Sequence, residues 1–224
     1  MTASALLLDA MGTLLELKPP APRLRTELRE RFGLQITETD AQRAIASEIA
    51  YYRAHLDEGR DPAALAALRS RCAEALREGL PHDDRVAAID NGALTEALLA
   101  SVRFEPFADV RPALEAARAA GRRTVVVSNW DVSLDEALHR LGLAPMLDGV
   151  VTSAAVGASK PSPEIFERAL TVAGVAAHQA THVGDSVSED IAGARAAGIE
   201  AVLIKRDGTP GPPGVRTIAT LAAV

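Results

Sequence analysis

Hydrophobic residues in this chain follow two patterns, short unbroken apolar runs and longer stretches with helical spacing. Residues 5–8 form an apolar run without alternation, which is typical of a strand buried on both faces of a parallel sheet. Similar runs predict strands at 124–127, 150–152, 180–183 and 201–204. Helical spacing between these runs predicts helices at 110–120, 134–141, 163–172 and 191–197. Strands that alternate with helices of this length indicate βαβ units and an α/β fold with a parallel sheet.

The middle of the chain has a different pattern. From about residue 23 to 102 apolar residues recur at helical spacing, as in Leu24, Leu28 and Phe32, and runs of β-branched residues are missing. We expect a bundle of four or five helices here. The proline-rich stretch 18–22 is interpreted as a hinge. The sequence therefore predicts a core formed by residues 1–17 and 104–224, with residues 18–103 as a helical insert. A Gly/Pro-rich loop at 208–214 should precede a short C-terminal strand or helix.

Composition excludes several classes of function. The net charge is −6, which offers no basic surface for nucleic acid or for an anionic membrane. No apolar segment approaches the length of a membrane span. Cys72 is the single cysteine, so no disulfide can form within the chain. The N-terminus lacks the pattern of a signal peptide, and we expect a cytoplasmic protein. The sequence does not predict an oligomeric state.

Polar side chains stand at the ends of the predicted strands. Asp9 follows the first strand, Ser128 and Asn129 follow the second, and Asp185 closes a later one; Lys160 lies in a segment between strands. In open α/β sheets, ligands bind in the crevice at the carboxyl ends of the strands. These side chains are therefore the candidates for a catalytic site.

In order and spacing these residues resemble the four motifs of the haloacid dehalogenase superfamily. The motifs are DAMGTL from Asp9, VSN at 127–129, SKPSP at 159–163 and VGDSVSED from Val183. The resemblance implies a Rossmann-like three-layer α/β core with an inserted α-helical cap at 18–103, and a hydrolase that uses Asp9 as nucleophile. It implies substrate contacts from four residues: Thr13, Ser128, Asn129 and Lys160. It also implies Mg²⁺ bound by Asp9, the backbone carbonyl of Met11, Asp185 and Asp190, and a small phosphorylated metabolite as substrate.

Met11 departs from the phosphatase pattern. Phosphatases of this superfamily usually have a second aspartate at this position, which protonates the leaving group, and a thioether cannot do so. The 2-haloacid dehalogenases of the superfamily also lack it, because halide leaves without a proton, and they work without metal. Metal-free dehalogenation through Asp9 is thus an alternative, as is a binding or regulatory protein with weak turnover. Asp131, or an acidic residue of the insert, could replace the missing proton donor.

Overall fold

A computed structural model describes residues 4–224 of the chain. Contacts within the chain divide it into two compact units. One unit consists of the residues up to Glu16 together with Glu105–Val224, and the other is Leu17–Phe104. Within the described residues, no helix is both long and apolar enough to cross a membrane.

The first unit contains a six-stranded sheet in which all neighbouring strands are parallel. The strands are β1 (Ala5–Leu8), β4 (Arg123–Ser128), β5 (Gly149–Thr152), β6 (Ala180–Gly184), β7 (Glu200–Ile204) and β8 (Thr217–Ile218). Their spatial order is β5-β4-β1-β6-β7-β8. This parallel sheet with intervening helices confirms the predicted α/β fold class.

Helices connect these strands and cover the sheet. They are α6 (Val110–Ala119), α7 (Leu134–Arg140), α8 (Ser153–Val156), α9 (Pro163–Ala173) and α10 (Ala192–Ala196). Leu7 of β1 belongs to a buried cluster with Ile165 and Phe166 of α9. Leu6 and Leu8 alternate with Leu7 and point to the opposite face, where both are also buried. Burial on both faces explains why the strand sequences are apolar without alternation.

Asp9 follows β1, the strand at which the order of the sheet reverses. β1 pairs with β4 on one side and with β6 on the other. The connections on its two sides diverge, and such a switch point leaves a crevice at the carboxyl edge of the sheet. The backbone N–H of Asp9 continues the pairing by donating to the carbonyl of Val183, at 2.9 Å.

The second unit is helical. Its helices are α1 (Pro20–Phe32), α2 (Glu38–His55), α3 (Pro62–Gly79), α4 (Asp84–Ala87) and α5 (Asn91–Ser101). Side chains of Thr37, Asp61 and Asp90 accept hydrogen bonds from the first free N–H groups of α2, α3 and α5. The apolar faces of these helices share one buried cluster, which includes Leu24, Leu28, Ile45, Leu68, Leu76, Leu94 and Leu98.

Two local features differ from the sequence prediction. Residues 18–22 were predicted to form a hinge, but Pro20 begins α1, since proline fits the first turn of a helix, where its missing N–H has no partner to lose. In addition, β2 (Leu15–Lys18) and β3 (Arg103–Pro106) form a separate two-stranded sheet. The chain passes from one unit to the other within these two strands.

Candidate active site

A tight turn of residues 9–15, here called the Asp9 turn, follows β1. The carbonyl of Ala10 accepts hydrogen bonds from the N–H groups of Leu14 and Leu15, at 2.9 and 2.8 Å. Gly12 adopts a φ of +76°, in the left-handed region that favours glycine, and its N–H donates to the carbonyl of Leu15 at 2.8 Å. The turn thus reverses the chain immediately after Asp9 and holds its carboxylate at the edge of the sheet.

Lys160 links two carboxylates in the interior of the site. Its Nζ donates to Oδ1 of Asp9 and to Oδ1 of Asp190, both at 2.6 Å. All three side chains are almost completely buried. Ser128, the last residue of β4, donates its hydroxyl to the same oxygen of Asp9 at 3.0 Å. Asp9 is therefore oriented by two donors that come from different segments of the chain.

Asp190 is held on three sides. Besides Lys160, the Nε2 of His182 contacts its Oδ1 at 2.9 Å, and the N–H of Ser186 donates to its Oδ2 at 3.0 Å. A π-helical turn, Val187–Ile191, precedes α10 and carries Asp190 back toward the strand end. Such turns are frequent at functional sites, because the extra residue redirects side chains.

Asp185 completes a group of three carboxylates. Asp9, Asp185 and Asp190 each have an oxygen within 4.8 Å of the others. A Cβ on Gly12 would lie 2.2 Å from Oδ2 of Asp185, so only glycine leaves space for this carboxylate beside the Asp9 turn. Three carboxylates close to one ammonium group leave an excess of negative charge. The geometry and the oxygen donors therefore fit a hard divalent cation such as Mg²⁺.

The electrostatics of the site follow from burial and from these neighbours. Burial raises the pKa of Asp9 to about 7, against the lowering effect of Lys160 and with a further rise from Asp190. Burial also raises the pKa of Asp185, and Asp190 adds to that rise. Burial opposes the charged form of Asp190, but Lys160 and His182 hold its pKa below the usual range. A nearby cation would favour the ionised form of Asp9 that nucleophilic attack requires.

Asn129 contacts the backbone around Lys160. Its Oδ1 accepts from the N–H of Lys160 at 2.7 Å, and its Nδ2 donates to the carbonyl of Lys160 at 3.1 Å. The same Nδ2 lies 3.2 Å from Oε2 of Glu189. In this arrangement Asn129 fixes the position of Lys160, and its contact with substrate stays a prediction.

The remaining predicted residues occupy different surroundings. Thr13 is fully buried within the Asp9 turn, and its substrate contact also stays a prediction. Met11 is half-buried, at the position where phosphatases of the superfamily usually have a second aspartate. Asp131 is buried, and its Oδ1 accepts from the N–H of Ser133 at 2.7 Å, just before α7. Trp130 is buried too.

Sequence reasoning missed the role of His182. No metal-binding spacing includes this residue, so the sequence did not place it among the candidate site residues. In the structure it is fully buried on β6 and lies edge-on to Phe166, with ring centroids 5.1 Å apart. Burial lowers the pKa of His182 even though Asp190 favours the charged form, and Nε2 is the ring nitrogen that faces the carboxylate of Asp190. The available signal was a histidine within a strand that is buried along its whole length.

The fold and the site define an α/β protein whose polar side chains meet around one aspartate, Asp9, at the centre of the sheet. The chain belongs to the haloacid dehalogenase-like hydrolase family, whose family model matches residues 3–198. This match confirms the family that the four motifs indicate.

Proteins similar to this chain in sequence match part of it. Haloacid dehalogenase-like hydrolase domain-containing protein 3 from Xenopus laevis is 42% identical over 94 residues, which cover 42% of this chain and 38% of that protein. Glyceraldehyde 3-phosphate phosphatase from Methanopyrus kandleri is 39% identical over 104 residues, 46% of this chain and 45% of that protein. The chain therefore spans less than half the length of these relatives.

Solved structures match nearly the whole chain. A HAD phosphatase from Thermococcus onnurineus is 26% identical and superposes with a TM-score of 0.67 over 99% of this chain and 95% of the other. A 2-haloacid dehalogenase from Pseudomonas syringae pv. Tomato DC3000 is 24% identical, with a TM-score of 0.68 over 99% and 96% of the two chains. The second likeness shows the fold alone.

Proposed function

We propose that this hydrolase removes the phosphoryl group of a small phosphorylated metabolite through a covalent intermediate on Asp9, with Mg²⁺ as cofactor. The carboxylate of Asp185, beside Gly12 and within 4.8 Å of Asp9 and Asp190, is the observation that carries this proposal. A glycine is needed at position 12 to leave space for it. The phosphatases among the similar proteins support the same reaction.

The metal would be held by Asp9, Asp185 and the backbone carbonyl of Met11. Asp190 lies beside them, but both of its oxygens accept hydrogen bonds from Lys160, His182 and the N–H of Ser186. We therefore give Asp190 mainly the task of orienting Lys160. Bound Mg²⁺ would supply charge stabilisation for the transferring phosphoryl group.

The reaction has two steps, because Asp9 forms a covalent intermediate. A carboxylate oxygen of Asp9 attacks phosphorus, and the bond to the leaving oxygen breaks. Lys160 offsets negative charge as it develops, and Ser128 keeps the attacking carboxylate in place. Water then attacks phosphorus, which releases inorganic phosphate and regenerates Asp9. Because Met11 cannot donate a proton, the leaving oxygen takes its proton from solvent, and substrates with acidic leaving groups should react fastest.

Met11 also favours a second candidate function, hydrolytic dehalogenation. In that reaction Asp9 attacks carbon and expels halide, and water then hydrolyses the ester on Asp9. Halide needs no proton, so a thioether at position 11 carries no penalty. The retained Asp185 argues against this reaction, because a further carboxylate opposes the approach of a 2-haloacid anion.

Two assays on the purified protein separate the candidates. We expect Mg²⁺-dependent release of p-nitrophenol from p-nitrophenyl phosphate, which chelator abolishes and which is lost in Asp9→Asn, a variant of nearly the same shape. Halide release from 2-chloropropionate in the presence of chelator would instead establish the dehalogenase. Failure of both reactions with well-folded protein would overturn the phosphatase proposal.

A further inference from the structure

Two adjacent carbonyls of the Asp9 turn are bound from outside the turn. The carbonyl of Leu14 accepts from the N–H of Phe107 at 3.1 Å, and that of Thr13 accepts from Nη2 of Arg206. Arg206 follows β7 by two residues and lies beyond the residues that match the family model. The turn is therefore contacted by a side chain far away in the sequence.

The guanidinium group of Arg206 is itself fixed on two further sides. Its Nη1 donates to Oδ2 of Asp109 at 2.7 Å, and its Cζ lies 4.2 Å from the ring centroid of Phe107. Only 17% of the Arg206 side chain is exposed to solvent. A planar group held by an ion pair and by an aromatic face keeps its direction, which a flexible ammonium group would not.

Asp109 connects this contact to the C-terminal segment. Its Oδ2 also accepts from the hydroxyl of Thr220 and from the N–H of Leu221, both at 2.7 Å. Burial opposes the charge of Asp109, but Arg206 and Thr220 hold its pKa below the usual value. A continuous chain of polar contacts thus runs from the C-terminal segment through Asp109 and Arg206 to the carbonyl of Thr13.

We propose that Arg206 is a positioning residue for the reaction, which fixes the Asp9 turn and thereby the direction of the nucleophile, and that Asp109 and the C-terminal segment hold it in place. The inference rests on the proposed role of Asp9 as nucleophile. Arg206 acts through the backbone of the turn, since its hydrogen bonds go to Thr13 and Asp109 and not to Asp9, Asp185 or Asp190. Removing it should let the turn move by a fraction of an ångström to an ångström, which is enough to lower a rate by about 10- to 100-fold.

The test compares Arg206→Met with Arg216→Met. Arg216 also binds the C-terminal segment, through the carbonyl of Ala223 at 2.9 Å, and it pairs with Glu200 at 3.3 Å, but neither partner belongs to the Asp9 turn. We expect Arg206→Met to lower kcat for p-nitrophenyl phosphate by about 10-fold or more, with KM changed by less than about threefold. Arg206→Lys should recover part of the rate, and Arg216→Met should keep the rate of the unmodified protein.

Amide hydrogen exchange provides a measurement that does not depend on turnover. In Arg206→Met the N–H groups of Gly12, Leu14 and Leu15 should exchange at least about 10-fold faster, because local opening of the turn costs less free energy. In Arg216→Met they should exchange at the original rate. If Arg206→Met leaves hydrogen exchange in the Asp9 turn unchanged, the positioning role is wrong. It is also wrong if Arg206→Met and Arg216→Met accelerate this exchange equally.

The two proposals can fail separately. If the unmodified protein hydrolyses no phosphate ester, the proposed function fails, while the exchange comparison still decides whether Arg206 fixes the turn. If Arg206→Met does not fold, Arg206→Lys and Asp109→Asn take its place in both measurements, and each should change kcat and exchange in the same direction with smaller amplitude. Unchanged values in both variants would overturn the inference.

Discussion

Gly12 shows how one residue decides whether the carboxylates can meet. Its φ of +76° is one reason for glycine, and the 2.2 Å that would separate a Cβ at this position from Oδ2 of Asp185 is another. Gly121 has a similar φ of +70°, but a Cβ there would meet no atom within 4 Å. At Gly121, glycine is therefore favoured by the positive φ alone, and there is space for a side chain.

This pair of glycines gives a matched prediction. Gly12→Ala and Gly121→Ala should each lower the free energy of unfolding by about 1–2 kcal/mol, because both force alanine into the left-handed region. Only Gly12→Ala should displace Asp185 and reduce Mg²⁺-dependent hydrolysis, by at least about 10-fold. Denaturant unfolding and steady-state kinetics of the two variants check this. Equal activity in both would show that the space beside Asp185 is unimportant.

Glu48 is a second residue with an unusual environment, on α2 in the helical unit. Burial raises its pKa from 4.5 to about 7, although a hydrogen bond with the Cys72 thiol opposes the rise. At a pH between these two pKa values, Glu48 is ionised in the unfolded chain and protonated in the folded chain. Stability therefore falls as pH rises from about 4.5 to about 7 and levels off above that range.

The corresponding prediction concerns Glu48→Gln, which keeps the shape but cannot ionise. Relative to the unmodified protein, this variant should gain stability steadily between pH 4.5 and pH 7, by about 3 kcal/mol at most. Denaturant unfolding across this pH range measures the difference. Glu74→Gln makes the same change at an exposed position of α3 and controls for net charge. If the difference in the free energy of unfolding between Glu48→Gln and the unmodified protein does not vary with pH, the pKa of Glu48 is not raised by folding.

At the scale of elements, α2 and α3 approach each other closely at Gly79. A Cβ on this residue would lie 2.5 Å from the Cα of Ala44 and 3.0 Å from the hydroxyl oxygen of Ser47. Backbone atoms cannot give way as a flexible side chain does. Gly79→Ala should therefore destabilise the protein by about 1–3 kcal/mol, through separation of the two helices. Thermal unfolding tests this, with the exposed neighbour Glu78→Ala as control; equal melting temperatures would contradict it.

The strands could be predicted because burial on both faces gives unbroken apolar runs. The long helices could be predicted because burial on one face gives apolar residues at helical spacing. The start of α1 at Pro20 was missed because the same prolines are typical of loops. β2 and β3 were missed because each has four residues and only partial burial, so their pairing over a long sequence separation leaves no local pattern.

For the site, Asp9, Ser128 and Asp185 could be found because they lie at the ends of strands, and Lys160 could be found because it lies in the third motif. The contact of His182 with Asp190 and that of Arg206 with the Asp9 turn depend on side-chain direction and on residues far apart in the chain. No local sequence pattern encodes either contact. The two-point contact of Asn129 with the backbone of Lys160 also joins residues far apart in the chain, and the substrate contact that the resemblance implies for Asn129 stays a prediction.

At the scale of the whole molecule, the excess negative charge of the site should link metal binding to stability. The three carboxylates repel one another, and the ammonium group of Lys160 compensates only part of their charge, so a divalent cation that binds between them lowers this repulsion. A ligand at 100 times its Kd that binds only the folded state adds about 2.7 kcal/mol. For a chain of this size, saturating Mg²⁺ should then raise Tm by roughly 5–10 °C.

This prediction has its own controls. Chelator should reverse the rise in Tm, and Asp185→Asn should largely abolish it. Asp148→Asn removes a carboxylate that binds Arg123 and the N–H of Thr124 instead, and it should leave the Mg²⁺ response intact. If Asp185→Asn responds to Mg²⁺ as the unmodified protein does, the ion binds somewhere else.

The central claim, that Asp9 carries the transferred group, is tested most directly by trapping the intermediate. The protein is mixed with Mg²⁺ and p-nitrophenyl phosphate, quenched in acid, reduced with borohydride and digested for mass spectrometry. We predict reduction of the side chain at position 9 to homoserine, which marks an acyl phosphate there, and no such product when Mg²⁺ is omitted or in Asp9→Asn. Turnover of the ester with position 9 unmodified, or with the modification on another carboxylate, would contradict the mechanism.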